Sequence, residues 1–140
     1  MSKSQKIGVI GSGSWATANL KILSNNCDSI NLFLKNADYI EYIKAKSDII
    51  ILSNAAAFLH TSLKGITKED FKNKLVFSAI KGIIPEYNLI VGEYLNTVYE
   101  IPLENIGVLT GPCHAEEVAM EKLSYLTIAC SKIVNAELLC

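Results

Sequence analysis

The sequence predicts an α/β domain, doubly wound around a parallel sheet with helices on both faces. Three observations carry that reading. Short apolar runs alternate with longer amphipathic stretches along all 140 residues, the rhythm of repeated βαβ units. Several runs, "DIIILS" and "KLVFSAI" among them, are continuously apolar, as strands buried on both faces are. The first run, in "KIGVIGSGSWATANLKIL", passes straight into a glycine pair and then a helix-like stretch.

Taken in order, strands are expected at Lys6–Ile10, Ile30–Leu34, Asp48–Ser53, Leu75–Ala79, Ile106–Thr110 and Ser124–Cys130. Helices are expected at Trp15–Leu23, Ala37–Ala45, Ala55–Leu63, Leu89–Tyr99, Ala115–Lys122 and Ile133–Leu139. In "NLIVGEYLNTVY" the spacing gathers Leu89, Val91, Tyr94, Leu95 and Val98 near one helical face. The charged stretch "KGITKEDFKNK" reads as a solvated connection. Between Leu34 and Asp48 there is room for one short helix and little else, and neither tail reads as a natural end.

Composition bounds the function. A chain of 140 residues is one domain in size, half of it apolar and 19% charged, enough to fold around a core. Net charge is −1 with no long basic or acidic block, which argues against nucleic acid and against a polybasic membrane contact. "MSKSQK" carries no apolar leader, and no run is long enough to span a bilayer. The four cysteines, Cys27, Cys113, Cys130 and Cys140, lack C-x-x-C spacing and histidine partners. No metal site or disulfide framework is expected, and a cytoplasmic location fits free thiols.

"VIGSGSWA" matches G-x-G-x-x-A through Gly11, Gly13 and Ala16. The first glycine permits the turn off the strand, the second admits a pyrophosphate, and the small third residue lets helix and strand pack closely. Helix N-terminal N–H groups would face the phosphates. This context, strand before and helix after, predicts a Rossmann-like dinucleotide site. Trp15 either lines that cleft or packs as a core aromatic. The second strand ends in Lys35 and Asn36, with no acid for a ribose 2′-OH, so the cofactor reading is NADP(H) or NAD(H), leaning to NADP(H).

Three later loops follow strand ends, where open α/β sheets bind ligands. Ser53 and Asn54 end one strand; small residues there would admit a flat ring, and Asn54 could equally cap a helix. Lys81, before Gly82, could pair with a phosphate or polarise a carbonyl oxygen, or be a solvated loop lysine. In "LTGPCHAEEVA" a helix begins near His114, with Glu116 and Glu117 in its first turn, where the dipole favours acids. His114 reads as a partly buried loop histidine, with general acid as the alternative. Cys113 has no evident base and reads as a wall of the site.

Four stretches in this order, "GSGSWATA", "SAIKGIIPE", "LTGPCHAEEVA" and "SYLTIA", resemble the bacterial-type NAD(P)-dependent glycerol-3-phosphate dehydrogenases. That family interconverts dihydroxyacetone phosphate and sn-glycerol 3-phosphate by hydride transfer, feeding phospholipid synthesis. The resemblance implies that Ser14 and Trp15 contact the cofactor phosphates, that Lys35 sits near the adenosine ribose and that Ala115 contacts the cofactor. Lys81 would touch cofactor and substrate, while Gly111 and Cys113 would line the substrate site. Ala16 stands for the third glycine, and Asn54 stands where the family usually has proline.

The family also has an extra strand and helix before "DIIIL", and an all-helical C-terminal domain with a catalytic lysine in a "GAxKN"-like motif. Neither appears in this sequence. The expectation is therefore a partial, incomplete cofactor domain over residues 1–140, inactive alone, with the helical domain absent. A homodimer is compatible with it. Two other readings are a non-catalytic dinucleotide-binding module and a related two-domain 3-hydroxy acid dehydrogenase.

Overall fold

A computed structural model describes residues 5–11, 13–24, 30–33 and 47–139. The expected helix Ala37–Ala45, Lys35, Cys27 and Cys140 lie outside the described residues. Strand β1 (Ile7–Ile10) leads into helix α1 (Ser14–Ser24), then β2 (Ile30–Phe33) and β3 (Ile49–Leu52). Helix α2 (Ala56–Ser62) and a 3-10 turn at Lys68–Phe71 precede β4 (Leu75–Ser78). A small hairpin, β5 (Ile83–Ile84) and β6 (Leu89–Ile90), runs into α3 (Val91–Tyr99). Then come β7 (Ile106–Thr110), α4 (Ala115–Ala119), β8 (Thr127–Cys130) and α5 (Ile133–Glu137).

Six strands form one sheet in the order β2-β1-β3-β4-β7-β8. The first five are parallel, with Ile7 beside both Ile30 and Ile49, and Val76 beside Ile106. β1 and β3 are buried at every residue, which is why their sequences do not alternate. Successive isoleucines of β3 feed opposite faces. Ile50 and Leu52 pack with Leu59 of α2, with Leu63 just after it, and with Val91, Tyr94 and Leu95 of α3. Ile49 and Ile51 pack with Ala16 and Leu23 of α1 and with Phe77. The helices on both faces are the doubly wound plan that the sequence predicts.

Several details differ from expectation. The last strand runs antiparallel, Gly107 pairing with Cys130 and Thr110 with Thr127, and it begins at Thr127, not at Ser124. The segment between β7 and β8 holds the five-residue helix α4, and β8 then pairs directly with its predecessor β7 at the edge of the sheet. The expected helix from Leu89 starts at Val91, because Leu89 and Ile90 pair with β5. Its apolar face holds: Val91, Tyr94 and Leu95 are buried, with Leu89 and Val98 packed against them. The solvated connection "KGITKEDFKNK" is partly anchored. Thr67 and Asp70 form a reciprocal cap, and Ile66 and Phe71 are buried in the core.

Gly107 is a second consequence of close packing. A side chain there would overlap the buried Phe77 ring, so glycine lets β7 lie beside β4 with that ring packed against its backbone. Among the described residues no helix is long and apolar enough to cross a membrane.

Candidate functional site

The carboxyl ends of β1, β3, β4 and β7 converge on one cleft of about 430 Å³, a size suited to a small ligand or part of a larger one. Its first wall is the glycine loop. Gly11 has φ +145°, and a Cβ there would stand 2.8 Å from the carbonyl carbon and oxygen of Ser53. Gly11 is therefore glycine because β1 and β3 close together at their ends, where Ser53 N–H donates to Ile10 O at 2.8 Å. A Cβ on Gly13, by contrast, would meet nothing within 4 Å. The protein's own packing does not require that glycine; the open space lies in the cleft. Ala16 is buried between α1 and the sheet, beside Val9 and Ile51, as the third position of the motif demands. The first turn of α1 carries no acidic side chain, so its partial positive charge is left for an anion.

Opposite the loop, Lys81 follows β4 and places its ammonium 5.4 Å from the Trp15 ring centroid. That is cation–π range, worth about 0.5–1 kcal/mol at an exposed site. Trp15 lines the cleft and also packs against the Ala18, Cys113, Ala115 and Val118 cluster, so both readings of it hold in part. Gly82, at φ +105°, makes the turn that sends the chain from Lys81 into the hairpin. The far wall is Cys113, His114, Ala115 and Glu116. Cys113 is buried against α1 and lines the cleft. His114 is exposed, not partly buried, and its carbonyl accepts from the N–H groups of Glu117 and Val118 at 3.1 Å.

Ser14, Trp15, Lys81, Cys113 and Ala115 thus share one cleft with Gly13. Gly11 and Ala16 support it from behind. Gly111 is not on the cleft wall: at φ +154°, its missing side chain makes room for the carbonyl of Tyr125. Ser53 and Asn54 do line the cleft. Asn54 is not a helix cap, since Ala55 takes that position without a side-chain hydrogen bond.

Sequence reasoning missed two polar contacts beneath the cleft. Asn19 Nδ2 donates to Ser53 Oγ at 2.8 Å, both side chains buried. The signal was a lone asparagine on the apolar side of "ATANLKIL". Asn54 Nδ2 donates to Ser62 Oγ at 3.0 Å, eight residues on, while its Oδ1 is buried with no hydrogen-bond partner. An unmatched buried acceptor costs about 1–3 kcal/mol. Among the described residues no three metal-ligating side chains cluster. The open space at Gly13, the acid-free start of α1 and the cleft beside it fit a dinucleotide.

Comparison with known proteins agrees with this geometry. The family model for the N-terminus of NAD-dependent glycerol-3-phosphate dehydrogenase matches residues 44–136, about two-thirds of the chain. A glycerol-3-phosphate dehydrogenase (NAD(P)+) of Aster yellows witches'-broom phytoplasma is 32% identical over 154 residues, covering 92% of this chain and 46% of that protein. One from Exiguobacterium is 31% identical, covering 94% and 47%. The crystal structure of glycerol-3-phosphate dehydrogenase from Coxiella burnetii has the same fold, with TM-score 0.78 at 16% identity, over 97% of this chain and 50% of that one. The chain spans about half the length of the curated relatives it matches. The chain belongs to the NAD-dependent glycerol-3-phosphate dehydrogenase family and corresponds to its N-terminal part.

Proposed function

We propose that residues 1–140 form the dinucleotide-binding half of a cytoplasmic oxidoreductase that interconverts dihydroxyacetone phosphate and sn-glycerol 3-phosphate. The observation that carries this is the single cleft joining the glycine loop, Lys81 and the Cys113–Ala115 wall. A bound nicotinamide would supply or accept the hydride. The N–H groups at the start of α1, with Ser14, hold the pyrophosphate. Trp15 and Ala115 flank the cofactor. Lys81 turns its ammonium from Trp15 toward the substrate oxygen and stabilises charge there. Cys113 narrows the substrate side and excludes water, and Gly111 shapes the turn behind it. Proton transfer to the carbonyl oxygen needs a general acid; the family resemblance places that lysine in the helical domain, outside these residues.

Trp15 is the chain's single tryptophan and stands in the cleft, so its fluorescence reports occupancy directly. Titration with NADPH or NADH is expected to quench it saturably, while NADPH with dihydroxyacetone phosphate gives no turnover on this chain alone. Absence of quenching by both dinucleotides overturns the reading. Preference for NADP(H) rests on Lys35, which offers a 2′-phosphate a positive charge. Lys35→Asp is expected to weaken NADPH binding about tenfold or more and to strengthen NADH binding, since the new carboxylate accepts from a ribose 2′-OH. Equal NADPH affinity in both proteins removes Lys35 as the selector.

A further inference from the structure

We infer that Trp15 is a positioning residue for Lys81, its indole ring holding the lysine side chain at the cleft ready for a ligand. The inference rests on the dinucleotide reading of the cleft. Lys81 is exposed and leads from the end of β4 into the turn made by Gly82. A long lysine stem in such a place samples solvent widely, and a ligand that uses its charge must first order it. Among the described residues no hydrogen bond or ion pair restrains the ammonium. The contact it does have is with Trp15, at 5.4 Å from Nζ to the ring centroid.

The ring is a fixed support. Trp15 lies in the first turn of α1 and packs against the buried cluster of Ala18, Cys113, Ala115 and Val118. It is therefore held by the same wall that bounds the cleft, and both it and Lys81 line that cleft. A side chain fixed in this way suits a supporting role better than one on a mobile loop. A cation over a ring is held more weakly than one hydrogen-bonded to an anion. An incoming phosphate or carbonyl oxygen thus takes the N–H groups of Lys81 while its methylene stem stays beside the indole. The cost of ordering the lysine is met before the ligand arrives.

NMR on the 140-residue chain reads the contact directly. A lysine ε-methylene beside an indole face is displaced upfield by the ring current, and its loss in Lys81→Ala identifies the signal. The unaltered protein is expected to show that displaced signal, Trp15→Phe to keep it and Trp15→Leu to lose it. No displaced lysine signal in the unaltered protein overturns the inference, whatever the cleft binds. Calorimetric titration with NADPH then measures the consequence through a double-mutant cycle. Lys81→Ala is expected to weaken NADPH binding about two- to fivefold more when Trp15 is present than in Trp15→Leu, since Lys81 without the ring is already out of place. Trp15→Phe is expected to restore most of that difference. An equal loss in both backgrounds overturns the positioning role alone. Failure of NADPH to bind the unaltered protein overturns the dinucleotide reading and the positioning role with it. Should Trp15→Leu fold poorly by circular dichroism, Trp15→Met, which fills more of the same space without a ring, takes its place under the same outcomes.

Discussion

Gly11→Ala is expected to destabilise the domain by about 3 kcal/mol or more, while Gly13→Ala leaves stability within about 0.5 kcal/mol and still weakens dinucleotide binding at least tenfold. The two glycines sit two residues apart in one motif and are glycine for different reasons. Gly11 has φ +145°, and an added Cβ would stand 2.8 Å from the backbone of Ser53. Neither atom can move away without parting β1 from β3, so the strain adds to the overlap. Gly13 has no positive φ and open space around its missing side chain. An alanine there is free of internal contacts and fills space that the pyrophosphate must enter. Urea melts of the two variants measure the first effect and Trp15 titrations measure the second. Full dinucleotide affinity in Gly13→Ala would mean that no phosphate approaches the loop closely, and the assignment of the cleft would fall with it.

That difference between glycines marks where sequence reading stops. The motif, the parallel core of the sheet and the positions of Trp15, Lys81 and Cys113 near strand ends were readable from local pattern plus the rule that ligands collect there, whereas Ser14 and Ala115 were named through the family resemblance alone. Gly111 reads as a substrate residue by resemblance, yet its conformation answers to the carbonyl of Tyr125, fourteen positions away along the chain. The direction of β8 is settled by its pairing with β7, and the period of the apolar pattern carries no direction. The hairpin of β5 and β6 has two residues per strand, too few for any periodicity to register. The Asn19–Ser53 contact spans 34 residues. A buried asparagine looks like a fault in an apolar face until its partner is brought up by the fold. The same holds for Asn54, whose distance from a cap role is set by Ala55 and Ser62 together.

Removal of the Tyr94 ring is expected to have the largest effect on the core. Tyr94 is fully buried, with edge-on contacts to Tyr87 at 5.1 Å, Tyr99 at 5.9 Å and His60 at 6.1 Å between ring centres. Its hydroxyl lies 2.9 Å from His60 Nδ1 on α2. Tyr94→Ala is expected to cost about 3–5 kcal/mol, most of the stability of a domain at the low end of the ordinary range of about 5–15 kcal/mol. Tyr94→Phe keeps the ring and loses only the hydroxyl, for about 1 kcal/mol near neutral pH. The hydroxyl also gives the protein an alkaline limit. Burial, and then the hydrogen bond to Tyr99, push its pKa far above the ordinary tyrosine range. The unfolded chain releases that proton near pH 10 and the folded chain keeps it. The contribution of Tyr94 is thus complete below pH 10 and falls as pH rises beyond it, by up to about 1.4 kcal/mol per pH unit. Urea midpoints at pH 9, 10.5 and 11 are therefore expected to fall more steeply for the unaltered protein than for Tyr94→Phe. Parallel slopes would mean that the hydroxyl ionises in place and that water reaches the cluster. This matters to the cleft above it. His60 shares α2 with Ser62, which holds Asn54, and Tyr87 belongs to the hairpin that Lys81 and Gly82 lead into. The aromatic cluster joins those two segments from below, so loosening it is expected to slacken the β3 and β4 sides of the site together, leaving the glycine loop on α1 in place.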